Sequence, residues 1–183
     1  MKIFYHSLYT EGISSESSFP RDRYRLVYES LKHFNGITFQ KPKRASLDHI
    51  YEVHDRGFVD SFITGSLSVS DQRRIGLRPW TKDIVDRTLY IIGGSISALE
   101  SCLEAGIAGN LAGGTHHSYF DYGSGYCIFN DLVICASYVK NNFKKIKKIL
   151  IVDLDVHQGD GTASMTSGDD SVFTFSMHCS SNF

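Results

Sequence analysis

The sequence predicts an α/β fold with a mostly parallel sheet flanked by helices, and three observations carry that prediction. Short apolar strand patterns alternate with longer segments whose apolar residues recur at helical spacing. Strands separated by helices need crossover connections, which are right-handed and leave neighbouring strands parallel. Two stretches rich in chemistry-bearing side chains, "GGTHH" and "DLDVHQGD", each follow a strand pattern, where open parallel sheets place their ligand sites. A chain of 183 residues is long enough for one sizeable core, so a single domain is expected.

"KIFYH" (2–6) reads as the first strand and "FPRDRYRLVYESLKHF" (19–34) as a helix, with Pro20 suited to a first turn and Leu26, Val27, Leu31 and Phe34 at helical spacing. Asn35-Gly36 marks a loop. "SLDHIYEVHDRGFVDSFITGS" predicts one or two short helices broken near Gly57, and "DQRRIGLRPW" is a polar connector with no regular pattern. Residues 81–106 carry the longest helical pattern, with Thr81 as N-cap and Gly106 as terminator. Gly93-Gly94 inside it sacrifices helix propensity, which predicts close packing against a neighbour. "NLAGG" reads as a short strand running into the glycine-rich aromatic loop "THHSYFDYGSGYCIFN". A helix over 131–143, an apolar strand over Ile149–Asp153, a short helix in "GTASMTS" and a strand over 171–177 complete the chain.

Charge and composition narrow the function classes. Lys plus Arg (19) nearly balances Asp plus Glu (20), which leaves no basic footprint for direct nucleic-acid binding. Four cysteines without CxxC spacing point to free thiols in a reducing, cytoplasmic setting, with a nuclear one open to a eukaryotic protein. No apolar run reaches the length of a membrane span, so no membrane partner is expected.

The chemistry concentrates in "LIVDLDVHQGDGT" (150–162), where an apolar strand ends in Asp153, Asp155, His157 and Asp160. Taking a carboxylate out of water costs several kcal/mol unless a cation or strong donors receive it. Asp155 and His157 are two apart on an extended segment, so both side chains point to one side and can ligate zinc or a similar divalent ion. Catalytic zinc takes three protein ligands, so a third is required from elsewhere. His116 and His117 supply groups that exchange protons near neutral pH, and each needs a partner on its other nitrogen. Asp153 and Asp160, left over after metal ligation, are the natural partners.

"AGGTHHSYFDYGSGYCIFNDLVICASYV", "KILIVDLDVHQGDGTASM" and "VFTFSMH" together resemble the zinc-dependent histone deacetylase superfamily, which includes acetylpolyamine amidohydrolases and acetoin-utilisation proteins on an arginase-like α/β fold. "RRIGLRPW" and the Thr of GGTHH resemble the class IV branch and its bacterial relatives. The resemblance implies an amide hydrolase acting on an acyl-lysine protein or a small acylated amine. It implies that His116, partnered by Asp153, is the inner active-site histidine, and that His117, partnered by Asp160, is the general base. Asp155 and His157 become two zinc ligands, and Gly125 with Tyr126 lines the acyl-lysine tunnel. A structural potassium ion is implied at the Asp153 side chain, the Ser176 hydroxyl and the carbonyls of Asp155, His157 and Met177.

The superfamily takes its third zinc ligand and a transition-state-stabilising Tyr from sequence beyond the "SMH" strand, and this chain ends at "SSNF". Residues 1–183 are therefore expected to be the N-terminal part of one deacetylase-like domain, truncated and inactive by themselves. Two other readings stay open. One is a catalytically dead fragment or binding module; the other is a magnesium-dependent DxD phosphatase, whose pattern wants Thr or Val where His157 stands.

Overall fold

A computed structural model describes residues 1–181. The elements run β1 (Lys2–Phe4), α1 (Leu8–Glu11), α2 (Arg23–Leu31), β2 (Thr38–Gln40), α3 (Leu47–Tyr51), α4 (Arg56–Thr64), α5 (Val69–Ile75), α6 (Asp83–Ala105), β3 (Ala108–Asn110), α7 (Asp131–Asn142), β4 (Ile149–Asp153), α8 (Asp160–Thr166) and β5 (Val172–Ser176). Every strand pair described is parallel: β1 lies between β2 and β3, while β4 pairs with β5 as a second sheet. The α/β class and the parallel strands agree with the sequence reading.

Helix α6 organises the larger body. Leu89 and Ile92 are fully buried on it, and it packs against β1, β3, α1 and α7. Its two internal glycines are explained by what crosses them. A Cβ on Gly93 would stand 1.8 Å from the Lys43 carbonyl oxygen, and one on Gly94 would stand 2.3 Å from the Tyr9 hydroxyl. Glycine costs about 1 kcal/mol of helix propensity at each position, whereas such overlaps with backbone and a buried phenol admit no side chain. Beyond α6, an aromatic cluster of Phe58, Phe62, Phe129 and Trp80 fills the core under the glycine-rich loop.

Several boundaries differ from the sequence reading, each for a local reason. Helix α2 starts at Arg23, so Pro20 precedes it, and Tyr24 is its buried residue, while Leu26, Val27 and Phe34 are exposed. The break between α3 and α4 falls at residues 52–55, because the Asp55 carboxylate accepts from the Phe58 amide and restarts the helix; Gly57 lies inside the first turn. The "connector" contains α5, opened by Ser68, whose side chain accepts from the Asp71 amide. Lys82, without a side-chain cap, precedes α6 in place of Thr81, while Gly106 ends it in the left-handed conformation. The strand assigned to "NLAGG" is Ala108–Asn110, with Asn110 its last residue. β2 has no counterpart in the sequence reading; it is a three-residue strand held by pairing to β1.

Candidate active site

The strand β4 explains why the acid cluster sits where it does. Ile151 is buried, so the alternation of a strand turns Leu150 and Val152 the other way, where both are exposed. Its register with β5 sets Asp153 opposite Ser176. The Met177 amide then donates to the Asp153 carbonyl, so Asp153, Ser176 and Met177 gather at the carboxyl ends of the two strands.

His116 and His117 enter from the other body, on the loop after β3. His116 Nδ1 meets Asp153 Oδ2 at 2.5 Å and His117 Nδ1 meets Asp160 Oδ1 at 2.7 Å. A carboxylate at Nδ1 holds the proton there, which puts the basic lone pair on Nε2 of each ring. The rings lie 4.1 Å apart between centroids, and both histidines are buried. For Asp160, burial raises the carboxyl pKa, but hydrogen bonds led by those of His117 and the Gly161 amide outweigh it and hold the group below its usual value. Asp160 is therefore an anion facing a histidine.

Asp155 and His157 converge as the two-residue spacing requires. His157 donates to Asp155 Oδ1 from its backbone amide at 2.8 Å, and its Nδ1 lies 2.9 Å from the same oxygen. His116 Nε2 stands 4.0 Å from that oxygen, and the His157 ring is 5.9 Å from that of His117. One carboxylate and one imidazole are the donor types a divalent zinc ion takes. Among the described residues no group of three His, Cys, Asp or Glu is arranged to hold a metal, so these two fit as a partial ligand set.

His116, His117, Asp155 and His157 open on one cavity of about 320 Å³, which Gly125, Tyr126, Phe19, Arg23 and Arg87 also line. Gly125 is required by contact: φ is +52°, and a Cβ there would stand 2.6 Å from His117 Cδ2. Tyr126 has φ +67°, an unusual conformation for a bulky residue, and donates its amide to the Ile75 carbonyl at 2.7 Å. Its ring meets Phe19 edge to face at 5.0 Å. A larger groove of about 520 Å³ runs between α7 and α8 and contains none of the paired histidines.

The sequence reading missed the residues that hold the histidine loop in place. Asp131, 1% exposed, accepts from the Thr115 amide (2.8 Å) and hydroxyl (2.7 Å), from the Gly114 amide (3.2 Å) and from the Ser95 hydroxyl (2.5 Å). His54 takes the Asn130 amide on Nε2 at 2.9 Å, so its Nδ1–H donates to the Phe120 carbonyl at 3.1 Å. Burial pushes its pKa down to about 4, which keeps it neutral. The tandem Asn130-Asp131 before a helical run is a capping signal that marks part of this arrangement. Nothing in the sequence marks His54, whose partners are 66 and 76 residues away.

A model of the histone deacetylase domain matches residues 17–183. An uncharacterized protein of Picosynechococcus sp. is 44% identical over 99% of this chain and 61% of its own length. The acetoin utilization protein AcuC of Bacillus subtilis is 27% identical over 96% of this chain and 48% of its own length; AcuC of Staphylococcus aureus is 27% identical over 90% and 45%. The chain thus spans between about half and three-fifths of the length of these relatives.

Proposed function

The chain belongs to the histone deacetylase domain family, and from that premise we propose that its cavity serves hydrolysis of an acyl group from lysine or a related amine. The observation that carries the reading is the double pairing of His116 with Asp153 and His117 with Asp160 beside Asp155 and His157. One histidine with one carboxylate occurs in many structural settings; two adjacent pairs facing a common cavity match a reaction that moves protons onto and off one centre.

Asp155 and His157 would hold zinc, which when bound polarises an amide carbonyl and makes water more acidic. His117, kept with its lone pair on Nε2 by Asp160, takes a proton from the attacking water and returns it to the leaving amine. His116 offers a second fixed imidazole whose Nε2 can accept a proton, and its Asp153 partner stabilises the charge that it then gains. Gly125 and Tyr126 flank the approach to His117. Asp153, Ser176 and the carbonyls of Asp155, His157 and Met177 would hold a potassium ion, a reading supported by the β4–β5 register that sets Asp153 opposite Ser176.

The test is a deacylation assay on an acetyl-lysine peptide with metal-loaded active protein. His117→Ala is expected to lower kcat by about 10² to 10⁴ with zinc content unchanged, while His157→Ala abolishes stoichiometric zinc. Activity within a few-fold of the parent after His117→Ala would remove the general base from the proposal.

A further inference from the structure

The basic charge of this chain is not spread evenly over it. Residues 140–148, "KNNFKKIKK", hold five of its 19 lysines and arginines and none of its 20 acidic residues, so the remainder is net acidic. Lys140, Lys144, Lys145, Lys147 and Lys148 are all exposed, at the end of α7 and in the turn that leads into β4. The deacylase reading uses none of them.

Lys144 Nζ donates to the Lys140 carbonyl at 3.0 Å, and a cation at the C-terminal end of a helix is favourable there. Lys140 Nζ pairs with the Asp169 carboxylate and Lys148 Nζ donates to the Asp170 carbonyl, so both ammonium groups lie on adjacent residues of the loop from α8 to β5. Of the five lysines only Lys140 meets a carboxylate among the described residues, and Lys145 and Lys147 have neither a hydrogen bond nor an ion pair there. Capping α7 accounts for Lys140 and Lys144; it leaves Lys145 and Lys147 without a structural task.

The make-up of the patch narrows its partner. An ammonium is a point charge that meets a phosphate without geometric demand, whereas a guanidinium fork suits recognition of one phosphate or base edge, and the patch contains no arginine. Single-stranded nucleic acid stacks on open aromatic faces. Phe143, the one aromatic of the run, instead lies against Tyr138, with ring centroids 6.2 Å apart. A duplex would extend beyond this nine-residue turn over a surface that is net acidic. A planar anionic surface touches the patch alone and repels the rest, which orients the molecule on it.

We propose that residues 140–148 dock this chain reversibly on a bilayer rich in anionic phospholipid. The contact is peripheral: among the described residues no helix is long and apolar enough to cross a membrane. β4 starts beside the patch and reaches Asp153 about 13 Å further on, at roughly 3.3 Å per residue. Docking therefore leaves His116 and His117, which meet the chain at that far end, turned away from the lipid.

Co-sedimentation with vesicles measures the contact. The chain is expected to bind vesicles of equimolar phosphatidylcholine and phosphatidylglycerol, to ignore phosphatidylcholine alone, and to be released as salt rises to about 0.5 M, where screening shortens the reach of each charge. Lys144→Gln, Lys145→Gln, Lys147→Gln and Lys148→Gln combined should weaken partition at least about fiftyfold, since each lysine near an anionic leaflet is worth roughly fivefold. Arginine at the same four positions should keep it within about threefold. Lys145→Glu alone, at an exposed position without a partner, should cost more than about tenfold and covers the case in which the fourfold variant does not fold. Partition of the Gln variant within about threefold of the parent, or equal binding to phosphatidylcholine alone, would overturn the proposal. So would duplex DNA bound as tightly as the anionic vesicles at the same salt, which would put a nucleic acid in place of the bilayer.

Discussion

The two sheets are built to different standards. β1 is flanked on both sides and roofed by α6, and Ile3 and Phe4 are buried in it. Among the described residues β4 and β5 pair only with each other, with Leu150, Val152, Phe173 and Phe175 all exposed on them. Two strands with an open apolar face are marginal by themselves. Yet this less covered sheet carries Asp153, and the segments around it carry Asp155, His157 and Asp160. The well-packed body contributes the histidines, so the candidate site is assembled across the seam between an anchored half and a lightly covered one.

The seam is stitched by backbone as well as by the histidine pairs. The Thr162 amide donates to the His116 carbonyl at 3.0 Å, and Asn130 Nδ2 donates to the Thr162 hydroxyl at 3.0 Å. A Cβ on Gly161 would stand 2.3 Å from the Ser118 carbonyl oxygen, so α8 can approach the histidine loop only with glycine there. Precision at the site therefore comes from the anchored side, and the acids follow it.

The sharpest way to break this comparison is to remove a carboxylate from each side. Asp131→Ala leaves the donors of Ser95, Gly114 and Thr115 without their acceptor, and at roughly 1 to 3 kcal/mol per unsatisfied buried group it should cost more than about 3 kcal/mol by urea unfolding. Asp155→Ala, at a half-exposed position, should stay within about 1 kcal/mol. Equal losses would mean that the acid cluster is as structural as the anchor.

Acid should loosen the same anchor. His54 has a folded-state pKa of about 4 against an unfolded value near 6.5, so the unfolded chain binds the extra proton throughout that window. Stability therefore falls as pH drops from 6.5 towards 4, by about 3 kcal/mol in total, and levels off below. Thermal unfolding across that range measures it, and a His54→Gln variant should lose most of the slope.

Within β4 the two faces should respond differently. Ile151→Ala removes a buried side chain and is expected to cost about 2 to 4 kcal/mol. Leu150→Lys, on the exposed face, should change stability by less than about 0.5 kcal/mol. A comparable loss at Leu150 would show that this face is covered in solution.

Much of this was legible in residues close together in the chain. Asp155 and His157 converge because strand geometry sends alternate side chains to one side, and Gly106 ends its helix because only glycine adopts that conformation cheaply. That His116 and His117 would take Asp153 and Asp160 as partners was legible as a matching of chemical needs, and which histidine takes which carboxylate was implied by the family resemblance. Helix α5 hid in a polar stretch because one Ser–Asp cap, not an apolar stripe, defines it. Arg87 is the one charged residue among the buried positions of α6, a local sign of a structural role, but its partners, the Tyr9 carbonyl and the Tyr24 hydroxyl, come from what packs around it.

The sequence by itself determined the chemistry: which groups can carry protons, which can ligate a metal, and that parallel strands deliver them to one end of a sheet. Only the tertiary structure decided what holds those groups still. His54 and Asp131 act through partners 16 to 76 residues away, and Gly125 is needed because His117 lies against it in space. Ligand types follow from side-chain chemistry, which each residue carries with it; positioning follows from hydrogen bonds and contacts between distant segments, which exist only once the chain has closed on itself.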